Sequence, residues 1–158
     1  MDYASIKAKA KEHWQQLLNL EHPLIHIGMG TCVRAAGAND VLSAIQETLK
    51  RIHPQARIVQ VGCIGMCYLE PLMAIRKPGR PFIYYGNLSP KKAEEILSSY
   101  LLEDNPKPEL AICMLGDGSM NGNGIPAFSE LPMIRPQVRI ALRNCGLIDP
   151  ENIDEYIA

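Results

Sequence analysis

The sequence predicts a small α/β sandwich: a four-stranded mixed sheet with helices packed on it, an N-terminal helix before it and a linker after it. Three observations carry that prediction. Segments follow one another in the order β-α-β-β-β-α between about residues 24 and 102, the length of one small domain. Their apolar positions switch between the period of a strand and that of a helix. His22-Pro23, His53-Pro54 and Pro78-Gly79 punctuate the segments, and the residue before a proline avoids the helical region.

Residues 3 to about 20 read as a helix, with Ala4, Ile6, Ala8, Ala10, Trp14, Leu17 and Leu18 at rough helical spacing between Lys, Glu and Gln. PLIHIG reads as the first strand and runs into the glycine-rich loop GMGTC. The spacing of Val41, Leu42, Ile45, Leu49 and Ile52 predicts a helix over 39–52 with Asn39 or Asp40 as its cap. RIVQVG is a second strand entering the loop GCIGMC. PLMAIRKPG and PFIYYG pair as a hairpin. Ser89-Pro90 opens a helix to about Leu102, with proline in the first turn, where its missing N–H costs nothing.

After Leu102 the character changes. EDNPKPEL, LAICML and GDGSMNGNG read together as a linker over 103–136. VRIAL (138–142) then reads as a new strand, and DPENIDEYIA as a helix capped by Asp149. A strand, a turn and part of a helix bury no core of their own. The expectation is therefore that 137–158 opens a further domain and that the chain is part of a longer one.

Composition excludes several function classes. Of 158 residues, 16 are basic and 17 acidic, for a net charge of −1, so a nucleic-acid partner is not expected. No apolar run reaches the roughly 18 residues of a membrane span, and the first residues lack the apolar stretch of a secretory signal. The expected compartment is the cytoplasm. GDGSMNGNG begins like a calcium-binding EF-hand loop, but the place of its bidentate acid is taken by Phe128. GMG lacks the third glycine of a dinucleotide fingerprint.

The chemistry lies in the cysteines. There are five: Cys32, Cys63, Cys67, Cys113 and Cys145. An odd number in a reducing compartment points to metal or redox chemistry rather than disulfides. Cys63 and Cys67 are separated by three residues, so they are not a thioredoxin-type C-x-x-C pair. Cys32 lies in the loop after the first strand and the pair lies in the loop after the second. In a sandwich of this order those loops can meet at one end of the sheet. Thiolates there suit an iron–sulfur cluster, with loop N–H groups tuning its potential. Three Cys with His26 would instead suit zinc, and a single cysteine also serves as a small buried hydrophobe.

From about residue 23 to 102 the chain resembles the thioredoxin-like 2Fe–2S ferredoxin domain. The resemblance rests on GMGTCVRAAGA entering a helix, VGCIGMCYLEP, and the YGNLSP turn into the last helix. More narrowly, it is similar to the version at the N-terminus of the flavoprotein (beta) subunit of iron-only, often electron-bifurcating, hydrogenases and related NAD-dependent formate dehydrogenases and NADH dehydrogenases. The tail RIALRNCGLIDPENIDEYIA resembles the start of the FMN- and NADH-binding domain of those subunits.

The resemblance implies a thioredoxin-like fold and one-electron transfer through a 2Fe–2S cluster held by Cys32, Cys63 and Cys67. It implies partners in the other subunits of a redox complex and in the adjoining flavoprotein domain. FMN, NAD and 4Fe–4S sites would belong to the parent's remainder, so this stretch is not expected to be catalytic alone. The four-cysteine pattern of the family has two thiols in the first loop. Aligned on Gly30-Thr31, those positions are Gly28 and Val33 here. The fourth ligand is left open between Cys113, His26, a solvent oxygen and none at all, and a harder ligand than thiolate would raise the potential. The alternative is a cluster-free module that keeps the fold and docks partner subunits.

Overall fold

The computed structural model of the chain describes residues 2–19, 21–115 and 124–158. In order, these form helix α1 (Tyr3–Leu18), strand β1 (Leu24–Gly28), a short helix α2 (Thr31–Ala35), α3 (Ala38–Ile52), β2 (Arg57–Val61), the hairpin β3 (Met73–Arg76) and β4 (Phe82–Tyr85), α4 (Pro90–Glu103), β5 (Ala111–Leu115) and α5 (Ile153–Ile157). The sheet order is β2-β1-β3-β4-β5. β1 and β2 are parallel, and every other pair is antiparallel.

Alternation of side chains across the sheet builds two cores. On one face Ile25, Ile27, Met73, Ile75, Ile83 and Tyr85 meet α3 and α4 through Ile45, Leu49, Ile96 and Leu97. On the other, Leu24, Ala74, Phe82 and Tyr84 pack with Leu17 of α1 and with Ile64 and Met66 of the loop after β2. Both faces are covered, so every residue of β1 and β4 is buried. That explains why PLIHIG and PFIYYG are nearly continuous apolar runs.

Ser89 caps α4 as expected, its hydroxyl accepting from Lys92 N–H at 3.2 Å, with Pro90 in the first turn. α3 begins one residue before Asn39. Its cap is Gly37, and a separate short helix, α2, precedes it.

The sheet has a fifth strand that the linker reading of 103–136 did not contain. AICML pairs with β4, Cys113 opposite Tyr84 and Met114 opposite Ile83. Cys113 and Met114 are buried on opposite faces. Residues 104–110 return the chain from α4 to the sheet edge. GDGSMNGN (116–123) lies outside the described residues.

VRIAL is not a strand. Val138 and Ile140 are 86% and 81% exposed, and the segment runs into turns. A strand needs an edge to pair with. This segment instead crosses the second face of the sheet, held by Arg139 donating to Ile64 C=O in the loop after β2 at 2.9 Å. The last helix starts later than Asp149 suggests. Asn152 caps it, accepting from Asp154 N–H at 3.0 Å. Asp149 forms the preceding turn by accepting from Glu151 N–H at 2.9 Å.

Candidate metal centre

Parallel pairing of β1 and β2 decides where the cysteines go. Gly28 sits opposite Val61 at the carboxyl ends of the two strands, and Met29 N–H donates to Val61 C=O at 2.9 Å. The two succeeding loops therefore leave from the same end of the sheet, where ligands characteristically bind in open α/β sheets. The first loop turns into α2, which carries Cys32 in its first turn. The second loop carries Cys63 and reaches Cys67 at the start of a single 3₁₀ turn, Cys67–Leu69.

The second loop is oriented by packing. Ile64 and Met66 are 5% and 0% exposed and anchor it in the second core. Cys63, half-buried, and Cys67, exposed, flank these anchors. Gly65 takes φ +90°, a conformation costly for any residue with a Cβ. Its N–H donates to the Cys63 sulfur at 3.3 Å. The three thiols converge, with Cys63 Sγ 3.5 Å from Cys67 Sγ and Cys67 Sγ 3.8 Å from Cys32 Sγ. All three sulfurs lie within 4.8 Å of one another, and among the described residues this is the only such group of potential metal ligands. Burial pushes the Cys63 thiol up, opposed by the Gly65 N–H.

Neither protein candidate for a fourth ligand joins them. Cys113 is fully buried on β5 among Tyr84, Phe82 and Leu17, and burial pushes its thiol up to about 12. His26 is buried on β1 beside the Phe82 ring, centroids 4.4 Å apart. Its Nδ1 lies 3.1 Å from Gly146 C=O. A carbonyl only accepts, so Nδ1 carries the proton and donates. The Cys₃His zinc set therefore does not assemble. Cys145 is half-buried in the tail.

A residue that sequence reading passed over lies beside the thiols. Glu70, at the end of the 3₁₀ turn, is 8% exposed, and neither carboxylate oxygen has a hydrogen-bond partner. Burial pushes its carboxyl up, while the nearby Cys63 thiol and then the Leu72 backbone N–H act in the opposite direction. The only signal in the sequence is an acid three positions after Cys67 in CYLEP.

His26 sets a pH dependence. Burial first, then the charge of Arg76, lower it from 6.5 to about 4, against the Gly146 bond. Neutral in the folded chain, it takes a proton more readily when unfolded. Its contribution is complete above about 6.5 and is lost as pH falls toward 4. The expected loss is about 3 kcal/mol of unfolding free energy over that window. Urea titrations from pH 7 to 4 check this, and His26→Asn should flatten the dependence. A wild-type profile already flat there would contradict it.

A mixed α/β sheet that gathers three soft thiols at the carboxyl ends of two parallel strands defines a class of small metal–thiolate protein. The family is narrower: residues 19–101, more than half of the chain, match the thioredoxin-like 2Fe–2S ferredoxin family, and the chain belongs to it. It is 29% identical over 84 residues to subunit HndB of the NADP-reducing hydrogenase of Solidesulfovibrio fructosivorans, covering 52% of this chain and 67% of HndB. A 24-residue stretch is 71% identical to subunit HndC of the same organism's NADP-reducing hydrogenase, covering 15% of this chain and 5% of HndC. The thioredoxin-like 2Fe–2S ferredoxin from Aquifex aeolicus superposes with a TM-score of 0.51 at 18% identity, over 64% of this chain and 99% of that one, which shows the shared fold.

The donor set fits a 2Fe–2S cluster. Such a cluster would be held by four protein ligands, commonly thiolates. Three thiols stand together here, and a Gly65 N–H already points at one sulfur. The family and this site support electron transfer. No helix among the described residues is long and apolar enough to cross a membrane.

Proposed function

We propose that the chain passes single electrons as the 2Fe–2S module of an NAD(H)-linked oxidoreductase of the hydrogenase type, working in the cytoplasm. The observation that carries this is the convergence of Cys32, Cys63 and Cys67 within 4.8 Å at the end of β1 and β2. These three would hold the cluster, which when bound accepts and releases one electron at a time. The protein's own share is to gather the thiolates, to aim the Gly65 N–H at the Cys63 sulfur, and to anchor the loop through Ile64 and Met66.

The domain reading extends this. Residues 23–102, with β5 added to their sheet, would be the ferredoxin unit behind the N-terminal helix of 1–22, and 137–158 the opening of an FMN- and NADH-binding domain. The short, highly identical stretch shared with HndC supports kinship with a second hydrogenase subunit. Other subunits of a redox complex are the expected partners, consistent with the subunit names of both relatives.

Anaerobic purification and reconstitution, with iron, sulfide and zinc analysis and EPR after dithionite, tests the reading. The expected result is about two irons and two sulfides per chain with a rhombic signal on reduction. No iron after reconstitution would overturn it in favour of the docking module, which the absent thiols at Gly28 and Val33 favour. Stoichiometric zinc without colour would overturn it in favour of a structural metal.

A further inference from the structure

We infer that the Glu70 carboxylate supplies the fourth ligand to the cluster, an oxygen where the four-cysteine pattern has a sulfur. This rests on the reading of Cys32, Cys63 and Cys67 as the other three. Three thiolates leave one of four ligand positions open. Cys113 and His26 are committed to the core and to Gly146, as their burial and bonding show.

Glu70 has the properties of a ligand waiting for a metal. It is 8% exposed, and both carboxylate oxygens are buried without a hydrogen-bond partner. No ion pair among the described residues involves it. A buried acid is ordinarily paired or bound to a metal, because desolvating the carboxylate alone costs several kcal/mol, and an orphan of this kind calls for an occupant.

Its location is the second, independent point. Gly28 stands where the four-cysteine pattern has its first thiol. A Cβ built on Gly28 would lie 3.5 Å from Glu70 Oε2. The carboxylate thus reaches the position from which the missing sulfur would extend. It lies outside the compact group of three sulfurs, as a donor for the remaining position can. A hard carboxylate oxygen is a competent iron ligand, and the carboxyl releases its proton on binding, as metal ligands must.

Glu70 also lines a small cavity with His26, whose Nε2 is likewise buried and unpartnered. Service to His26 is the rival assignment, and the experiment separates the two. The full chain and its Glu70→Gln and Glu70→Cys variants are reconstituted anaerobically. Cluster bleaching, visible thiolate-to-iron absorption and midpoint potential are measured, together with melting of the metal-free forms. Glu70→Gln is expected to bleach at least ~10-fold faster, the minimum seen when even an outer partner of a metal site is lost. Its metal-free form should melt at the same temperature or higher, since a buried unpaired acid has been removed. Glu70→Cys should bleach more slowly than wild type, gain thiolate absorption and shift to a lower potential.

Variants that match wild type in bleaching and spectrum, with iron present in all three, would overturn the Glu70 assignment and leave the electron-carrier reading standing. If the same variants altered only the acid dependence carried by His26, the carboxylate would belong to that cavity. A wild-type chain that takes up no iron would overturn both.

Discussion

Replacing Cys67 by serine is expected to strip the chain of most of its iron while leaving the fold intact. Cys67 is the thiol common to both short contacts, 3.5 Å from Cys63 and 3.8 Å from Cys32. Loss of a direct ligand should cost at least the ~10- to 100-fold in metal affinity that loss of an outer partner costs. The fold should not notice. Cys67 is exposed, and surface changes away from caps and buried networks usually stay within about 0.5 kcal/mol. Cys113→Ser is the converse control. It places a hydroxyl in a fully buried site, where an unsatisfied polar group costs about 1–3 kcal/mol, yet it should leave iron content unchanged. Iron per chain and thermal melts of both variants check the pair. Iron lost in Cys113→Ser but retained in Cys67→Ser would reverse the assignment of the site.

Gly146→Ala is expected to destabilise the fold strongly. Gly146 sits at φ +81°, and an added Cβ would lie 2.1 Å from Ile64 Cγ2. Backbone strain of roughly 1–2 kcal/mol adds to an overpacking cost of about 1–3 kcal/mol. The Gly146 carbonyl also accepts from His26 Nδ1 at 3.1 Å and from the Tyr84 hydroxyl at 3.5 Å, so any shift of this turn leaves two buried groups less well paired. The predicted cost is about 2–5 kcal/mol in a urea melt, with faster cluster loss because Ile64 adjoins Cys63. Ile64→Ala in the same chain should recover part of the loss, since the two sites share one contact. An unchanged melting profile for Gly146→Ala would show that the tail does not bear on the loop.

Much of the architecture is legible in the sequence because it rests on local signals. Helix periodicity, the Ser89-Pro90 cap and the order of strands up to the hairpin all read directly. The meeting of Cys32 with Cys63 and Cys67 is a matter of topology, since loops after two adjacent parallel strands share one end of the sheet. Other features depend on distant partners. AICML resembles a linker because it is short and lies between proline-rich and glycine-rich stretches; only the free edge of β4 makes it a strand. VRIAL has strand alternation but no edge to join. His26 reads as a strand residue and a candidate ligand, but its partner is Gly146, 120 positions away. Glu70 gives no periodic signal, only its place three positions after Cys67. Its interest comes from burial without a partner, which only the packed chain reveals.

The tail that crosses the second face of the sheet has a consequence for the speed of electron transfer. The GCIGMC loop is fixed from below by Ile64 and Met66. From above, Arg139 donates to Ile64 C=O at 2.9 Å, and Leu142 lies against Gly65, 3.2 Å from where its Cβ would be. A carrier changes charge by one unit on every cycle, and surroundings that must rearrange with each change add to the barrier. A loop held on both sides has little room to relax between the two charge states, so its dipoles are arranged in advance rather than turned at the moment of transfer. Clamped in this way by Arg139 and Leu142, the loop would present a bound cluster with dipoles that need little turning between its two charge states.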